Sequence, residues 1–99
     1  MTRETSASIA AWAETTFGPL KSLERLVERA EQELVELRAA VGGNASPDEI
    51  AHEAADVMIL LHRLVALVGR DLSESVDAKM TINRARQWAP SGDGVGQHV

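Results

Sequence analysis

The chain has no cysteine and only three aromatic residues, Trp12, Phe17 and Trp88. Without thiols there are no disulfides, no thiolate metal sites and no cysteine nucleophile. Proline occurs three times, at Pro19, Pro47 and Pro90, each beside other turn or capping residues rather than inside an apolar stretch. No apolar run is long enough to span a bilayer: Val57 to Val68 is too short and carries His62 and Arg63. The opening MTRETSASIAAW lacks the apolar core of a signal peptide, which gives the expectation of a cytoplasmic protein. Basic residues are in deficit, 10 Lys and Arg against 15 Asp and Glu, for a net charge of −5. That balance disfavours a long nucleic acid as partner, since backbone binding needs clustered cations. A small phosphate ligand stays compatible if metal ions screen the charge.

What is present is ordinary for a globular chain: 44% apolar and 25% charged residues over a length that holds one domain. Such a short chain buries only about 60–70% of its unfolded surface, so its own core is marginal. The spacing predicts a first helix over Ser6 to Thr16, ended by Phe17-Gly18-Pro19. A second runs from Leu20 to Val41, with Pro19 in its first turn and Gly42-Gly43-Asn44 closing it. Ser46-Pro47-Asp48-Glu49 opens a third with an N-cap, an N1 proline and a capping box, and Gly69 ends it. Asp71 and Glu74 repeat the box for a fourth helix, Leu72 to about Trp88. No strand-period alternation is visible. The expectation is an all-α fold, one short helix and three longer ones in a domain over residues 1–90, with a flexible tail over 91–99. The third helix is apolar on more than its core face, at Met58, Ile59 and Val65, which predicts a homo-oligomer.

The polar residues that face inward carry the chemistry. On the third helix Ile50, Val57, Leu60, Leu64 and Leu67 fall within about 60° of Glu53, and Asp56 lies about 60° to one side. Unpartnered carboxylates among core residues are costly or take up a proton. On the second helix Glu33 lies about 80° and Glu36 about 140° from Leu23, at the margin of the apolar stripe. The short Gly-Gly-Asn loop makes these helices antiparallel neighbours, so Glu33, Glu36, Glu53 and Asp56 converge. Four clustered carboxylates stay ionised only with cations among them, and all-oxygen ligation suits Mg²⁺ or Mn²⁺. On the fourth helix Lys79, Asn83 and Arg86 lie within about 40° of Leu72, a set able to hold a polyphosphate. Trp12 and Phe17 are candidates to stack on a nucleobase or to pack in the core.

Two acidic motifs on successive helices, E33-L-V-E36 and E53-A-A-D56, resemble the ExxE…ExxD signature of the MazG-like all-α nucleoside triphosphate pyrophosphohydrolases. The flanking W12-A-E-x-x-F17-G18-P19 and D77-A-K79-M-x-I-N83-R-A-R86-x-W88 are similar to the dATP/dGTP pyrophosphohydrolase branch. The resemblance covers about residues 12–88 and implies a four-helix MazG-like bundle assembled as a dimer or tetramer. It implies hydrolysis of a (deoxy)purine nucleoside triphosphate to the monophosphate and pyrophosphate, by water attack at the α-phosphorus. It further implies two or more Mg²⁺ or Mn²⁺ ions on Glu33, Glu36, Glu53 and Asp56, with Lys79 and Asn83 touching phosphate or sugar. Glu33 or Glu36 is then the proton acceptor, and Lys79 stands by the leaving pyrophosphate. Where the family often has a further acid, this chain has Gln32.

Two other readings compete. Glu49-Ile-Ala-His52 is a Glu-x-x-His motif of the kind used by di-iron bundles, but that architecture needs two. A helical interaction module without enzymatic activity is the non-catalytic alternative. His62 and His98 are expected at the surface and in the tail.

Overall fold

The computed structural model describes residues 2–99. Four helices follow in order, α1 Ser6–Phe17, α2 Leu23–Gly42, α3 Pro47–Leu67 and α4 Leu72–Ala85. A two-residue antiparallel ladder comes after them, β1 Trp88–Ala89 with β2 Gln97–His98, pairing Trp88 with His98 and Ala89 with Gln97. The ladder is absent from the sequence reading, because two residues are too few to show a period.

Each helix start has an identifiable donor and acceptor. Thr5 caps α1 in a reciprocal box with Ser8. Ser22 caps the second helix, its hydroxyl accepting from Arg25 N at 3.3 Å, so α2 begins three residues later than expected and Pro19 lies before it rather than in its first turn. Ser46 accepts from Glu49 N at 3.1 Å with Pro47 at the first helical position, as the tetrapeptide predicted. At its other end α3 closes with Gly69 at φ 79° and paired bonds from Gly69 N to Ala66 O and Arg70 N to Val65 O, a Schellman arrangement. The fourth helix stops at Ala85 instead of Trp88. There the Arg86 N–H and the Trp88 indole Nε1–H both donate to Asn83 O, the latter at 2.7 Å, and the chain turns into β1.

Packing is uneven. α3 lies against both α1 and α2, while α4 touches little of the rest. Among the described residues only Ala13, Leu26, Ala30 and Val57 are buried apolar residues, and α4 has no fully buried side chain. Leu72 at its start is half-buried, and Val76 one turn on is exposed. The radius of gyration, 15.8 Å, exceeds the roughly 13 Å of a compact chain of this length.

One junction ties the ends together. Asp71 caps two helices at once: Oδ2 accepts from Glu74 N at 3.1 Å in α4, and Oδ1 accepts from Ser6 N at 3.0 Å in α1. Ser6 reciprocates, its Oγ accepting from Leu72 N at 2.7 Å and lying 2.8 Å from His62 Nδ1 on α3. Ser6 is completely buried, and His62 is half-buried rather than a surface residue.

The backbone N–H groups of Ser6 and Glu74 hold the Asp71 carboxyl below the usual carboxylate range, with smaller help from the Ser6 hydroxyl and His62. A folded-state pKa below the unfolded one gives stability that is present above the unfolded value, about 3.9. That stability is lost as pH falls through the folded pKa. The melting-temperature gap between wild type and Asp71→Asn should therefore be constant above about pH 5 and shrink below pH 4. A thermal melt series over pH 3–7 reads it directly.

Candidate active site

The acidic residues come from two antiparallel helices. α2 turns its buried line Leu26, Ala30 and Glu33 toward α3, so Glu33 lies inside the packed face rather than at its margin. Leu26, Ala30 and Glu33 sit three or four residues apart, on one side of the helix. From α3, Glu53, one turn before buried Val57, is half-buried, and Asp56, next to Val57, is exposed. One carboxylate oxygen from each of Glu33, Glu53 and Asp56 lies within 4.8 Å of the others.

Glu36 stands outside that trio and is exposed, yet it is close enough to act on Glu33. Burial pushes the Glu33 carboxyl above its ordinary range. The neighbouring Glu36 carboxyl adds to the shift, as does the charge of Asp56, while Arg29 opposes it. Arg29 makes a 2.7 Å ion pair with Glu33 and also donates to Gln32 Oε1 at 2.9 Å. This single cation does not neutralise the cluster. Glu33 Oε2 and Glu53 Oε2 are both buried with no hydrogen-bond partner. Three converging carboxylates, two of them with an orphaned buried oxygen, and all oxygen donors, fit a hard divalent cation.

Beside the acids a cavity of about 510 Å³ runs between α1, α2 and α3. This is the size of small-molecule pockets in general. Glu33 and Asp56 line one part, and Trp12, Phe17, Leu20 and Arg63 line another. The Trp12 and Phe17 rings meet edge-to-face at 5.4 Å. They are 55% and 68% exposed, which rules out core packing as their role in the single chain.

Lys79, Asn83 and Arg86 are not brought to the acids. Lys79 and Arg86 are exposed on α4 and at its C-terminal cap, and none of the three lines the acidic cavity. Asn83 is half-buried, its Oδ1 enclosed without a partner. Glu49 and His52 are exposed, and among the described residues only Glu33, Glu53 and Asp56 form a possible metal group, so the di-iron motif finds no counterpart.

Arg63 is the residue the sequence reading overlooked. It is only 9% exposed, and its Nη2 donates to Gly18 O at 3.1 Å beneath the turn that carries Phe17. The signal was present: seven residues after Asp56, it falls within about 20° of it on the helical wheel.

A family model described as dATP/dGTP pyrophosphohydrolase matches residues 5–99. The chain belongs to that family. The dATP/dGTP diphosphohydrolase of Cyanophage S-2L is 35% identical over 96 residues, covering 97% of this chain and 86% of that protein. A dATP/dGTP diphosphohydrolase of Salmonella phage PMBT28 is 37% identical over 91 residues, and there the match spans 29% of the longer protein. Among solved structures, the Cyanophage S-2L MazG-like pyrophosphohydrolase superposes with a TM-score of 0.73 at 34% identity, over 95% of this chain and 88% of that one. That relative is bound to dGDP and three catalytic Mn²⁺ ions per active site. This dATP/dGTP pyrophosphohydrolase family member is therefore a MazG-like all-α hydrolase, which sets aside the interaction-module reading. No helix among the described residues is long and apolar enough to cross a membrane.

Proposed function

We propose that this chain hydrolyses a purine deoxynucleoside triphosphate to the monophosphate and pyrophosphate, by water attack at the α-phosphorus. The observation that carries the reading is the trio Glu33, Glu53 and Asp56, with two buried oxygens lacking any partner beside a nucleotide-sized cavity. Glu33, Glu53 and Asp56, with Glu36 at their edge, are the residues that would hold Mg²⁺ or Mn²⁺. Bound there, the ions supply charge neutralisation for the triphosphate and Lewis acidity that makes hydroxide available near neutral pH.

The chain's own groups divide the remaining work. Glu36, outside the trio and open to solvent, accepts the proton of the attacking water. Arg29, already paired with Glu33, steadies that carboxylate and faces the same cavity as the substrate. Trp12 and Phe17 offer aromatic faces to the base at the cavity's other part.

Lys79, Asn83 and Arg86 keep their roles toward the phosphates in this proposal through assembly. α4 has no fully buried side chain and exposes Val76, Met80 and Ile82, an apolar surface suited to a second copy. A homodimer or homotetramer in which α4 approaches an acidic cluster reconciles its polar residues with the site.

The test is a panel of deoxy- and ribonucleoside triphosphates with Mn²⁺, scored for pyrophosphate against phosphate. Pyrophosphate with monophosphate is expected from dGTP and dATP. Orthophosphate as the first product overturns the reading.

A further inference from the structure

Arg63 has no task in the chemistry described above. The residue is only 9% exposed; its guanidinium has one protein acceptor, Gly18 O at 3.1 Å, forms no ion pair among the described residues, and keeps its remaining nitrogens open to solvent. Arginine carries five N–H donors and no acceptor, so four remain to be satisfied. A largely buried cation without a counter-charge is costly unless something else supplies acceptors. Its side chain lines the cavity that also contains Glu33 and Asp56, as well as two further grooves beside Pro19, Leu20, Lys21 and Ser22.

We propose that Arg63 reads the major-groove edge of a purine base, donating to N7 and O6, and so favours guanine over adenine. This rests on the nucleotide-hydrolase reading, whose phosphate end is the acidic trio. Along α3, Arg63 lies seven residues beyond Asp56, roughly 10 Å at 1.5 Å per residue. Two turns of helix remove it from the phosphates and leave it where the far end of a nucleoside reaches. Trp12, Phe17 and Leu20 share that part of the cavity, an aromatic and aliphatic setting suited to a base rather than to a phosphate.

The donor chemistry then chooses between purines. Guanine presents two acceptors, O6 and N7, which match a fork made only of donors. Adenine presents N7 as acceptor but an amino donor at position 6, which faces a guanidinium with no complement. Arg63 thus accepts both purines through N7 and rewards only guanine twice. The bond to Gly18 O keeps the fork in place and ties it to the turn next to Phe17.

The experiment compares kcat/KM for dGTP, 7-deaza-dGTP and dATP with Mn²⁺ in wild type, Arg63→Lys and Arg63→Met, with melting to verify folding. Binding of dGMP and 7-deaza-dGMP is measured in parallel by calorimetry. Wild type should favour dGTP over 7-deaza-dGTP and over dATP by about tenfold or more. In Arg63→Met these ratios should collapse toward one, mainly through KM. Arg63→Lys, whose ammonium can still donate to N7 or O6 but not as a fixed fork, should keep a reduced preference, and serves if Arg63→Met fails to fold. Equal loss for all three nucleotides with the ratios intact would show that Arg63 only props the Gly18 turn, and would overturn the proposal. Indifference of the wild type to loss of N7 would overturn it too. If no nucleotide yields pyrophosphate, the hydrolase reading falls, and the dGMP to 7-deaza-dGMP binding ratio still decides the role of Arg63.

Discussion

Asp56→Asn should lower metal-dependent pyrophosphate release by about a hundredfold or more, while the metal-free variant melts higher than wild type. The two signs have one cause. Three carboxylates with oxygens within 4.8 Å of one another repel when all are charged, and two of them have a buried oxygen without any hydrogen-bond partner. An amide at position 56 removes a charge from that cluster and relieves the metal-free fold by a few degrees. The same change removes a ligand from the ions. Divalent-metal catalysis supplies several kcal/mol of transition-state stabilisation, and each 1.4 kcal/mol is a factor of ten. In wild type, Mn²⁺ at about 100 times its dissociation constant should add about 2.7 kcal/mol, or roughly 10–20 °C in melting temperature. Asp56→Asn should lose most of that shift. Melting curves with and without Mn²⁺, beside a pyrophosphate assay, test both signs. A variant that keeps the full metal shift would remove Asp56 from the ligand set.

The largest effect on stability without metal is expected from Ser6→Ala. Its hydroxyl accepts from Leu72 N and meets His62 Nδ1, so one small side chain joins the start of α1, the middle of α3 and the start of α4. Alanine preserves the volume closely but leaves a helix N–H and an imidazole nitrogen without their partner. An unsatisfied group of this kind costs about 1–3 kcal/mol. For a domain of this size that corresponds to a drop of roughly 5–20 °C in melting temperature. Ser6→Thr keeps the hydroxyl but adds a methyl to a site with no exposure, and should recover only part of the loss. A melt of Ser6→Ala within two degrees of wild type would refute the junction's importance.

The acidic motif was legible because carboxylates within an apolar stripe are a local contradiction, visible on a helical wheel without knowledge of the partner helix. Glu53 and Asp56 show it plainly. Glu33 was harder to place, because the stripe of α2 is wider than the face its own chain covers: Leu23, Val27 and Leu34 are exposed, and Leu26 and Ala30 mark the true centre. Ser46-Pro47-Asp48-Glu49 located the start of α3 because three independent local preferences agree there. The Ser6–Asp71 junction was out of reach, since its partners are 65 residues apart in the chain and neither is unusual alone. Arg63 was missed for a different reason. A cation on a long helix is ordinarily solvated, and only the Phe17-Gly18-Pro19 turn folded over it gives it an enclosed site. The end of α4 was misjudged because Arg86 and Gln87 are acceptable helix formers; the Trp88 indole, bonded back to Asn83 O, decides against continuation.

The attachment of α4 at one end has a mechanical consequence. Fourteen residues at 1.5 Å each make a lever arm of about 21 Å pivoting on the Asp71 caps. A 10° tilt at that pivot swings the far end, where Arg86 sits, by about 3–4 Å, more than the tolerance of any hydrogen bond. The reach of Lys79, Asn83 and Arg86 is therefore governed by the stiffness of a serine, a histidine and an aspartate about two to four helical turns away.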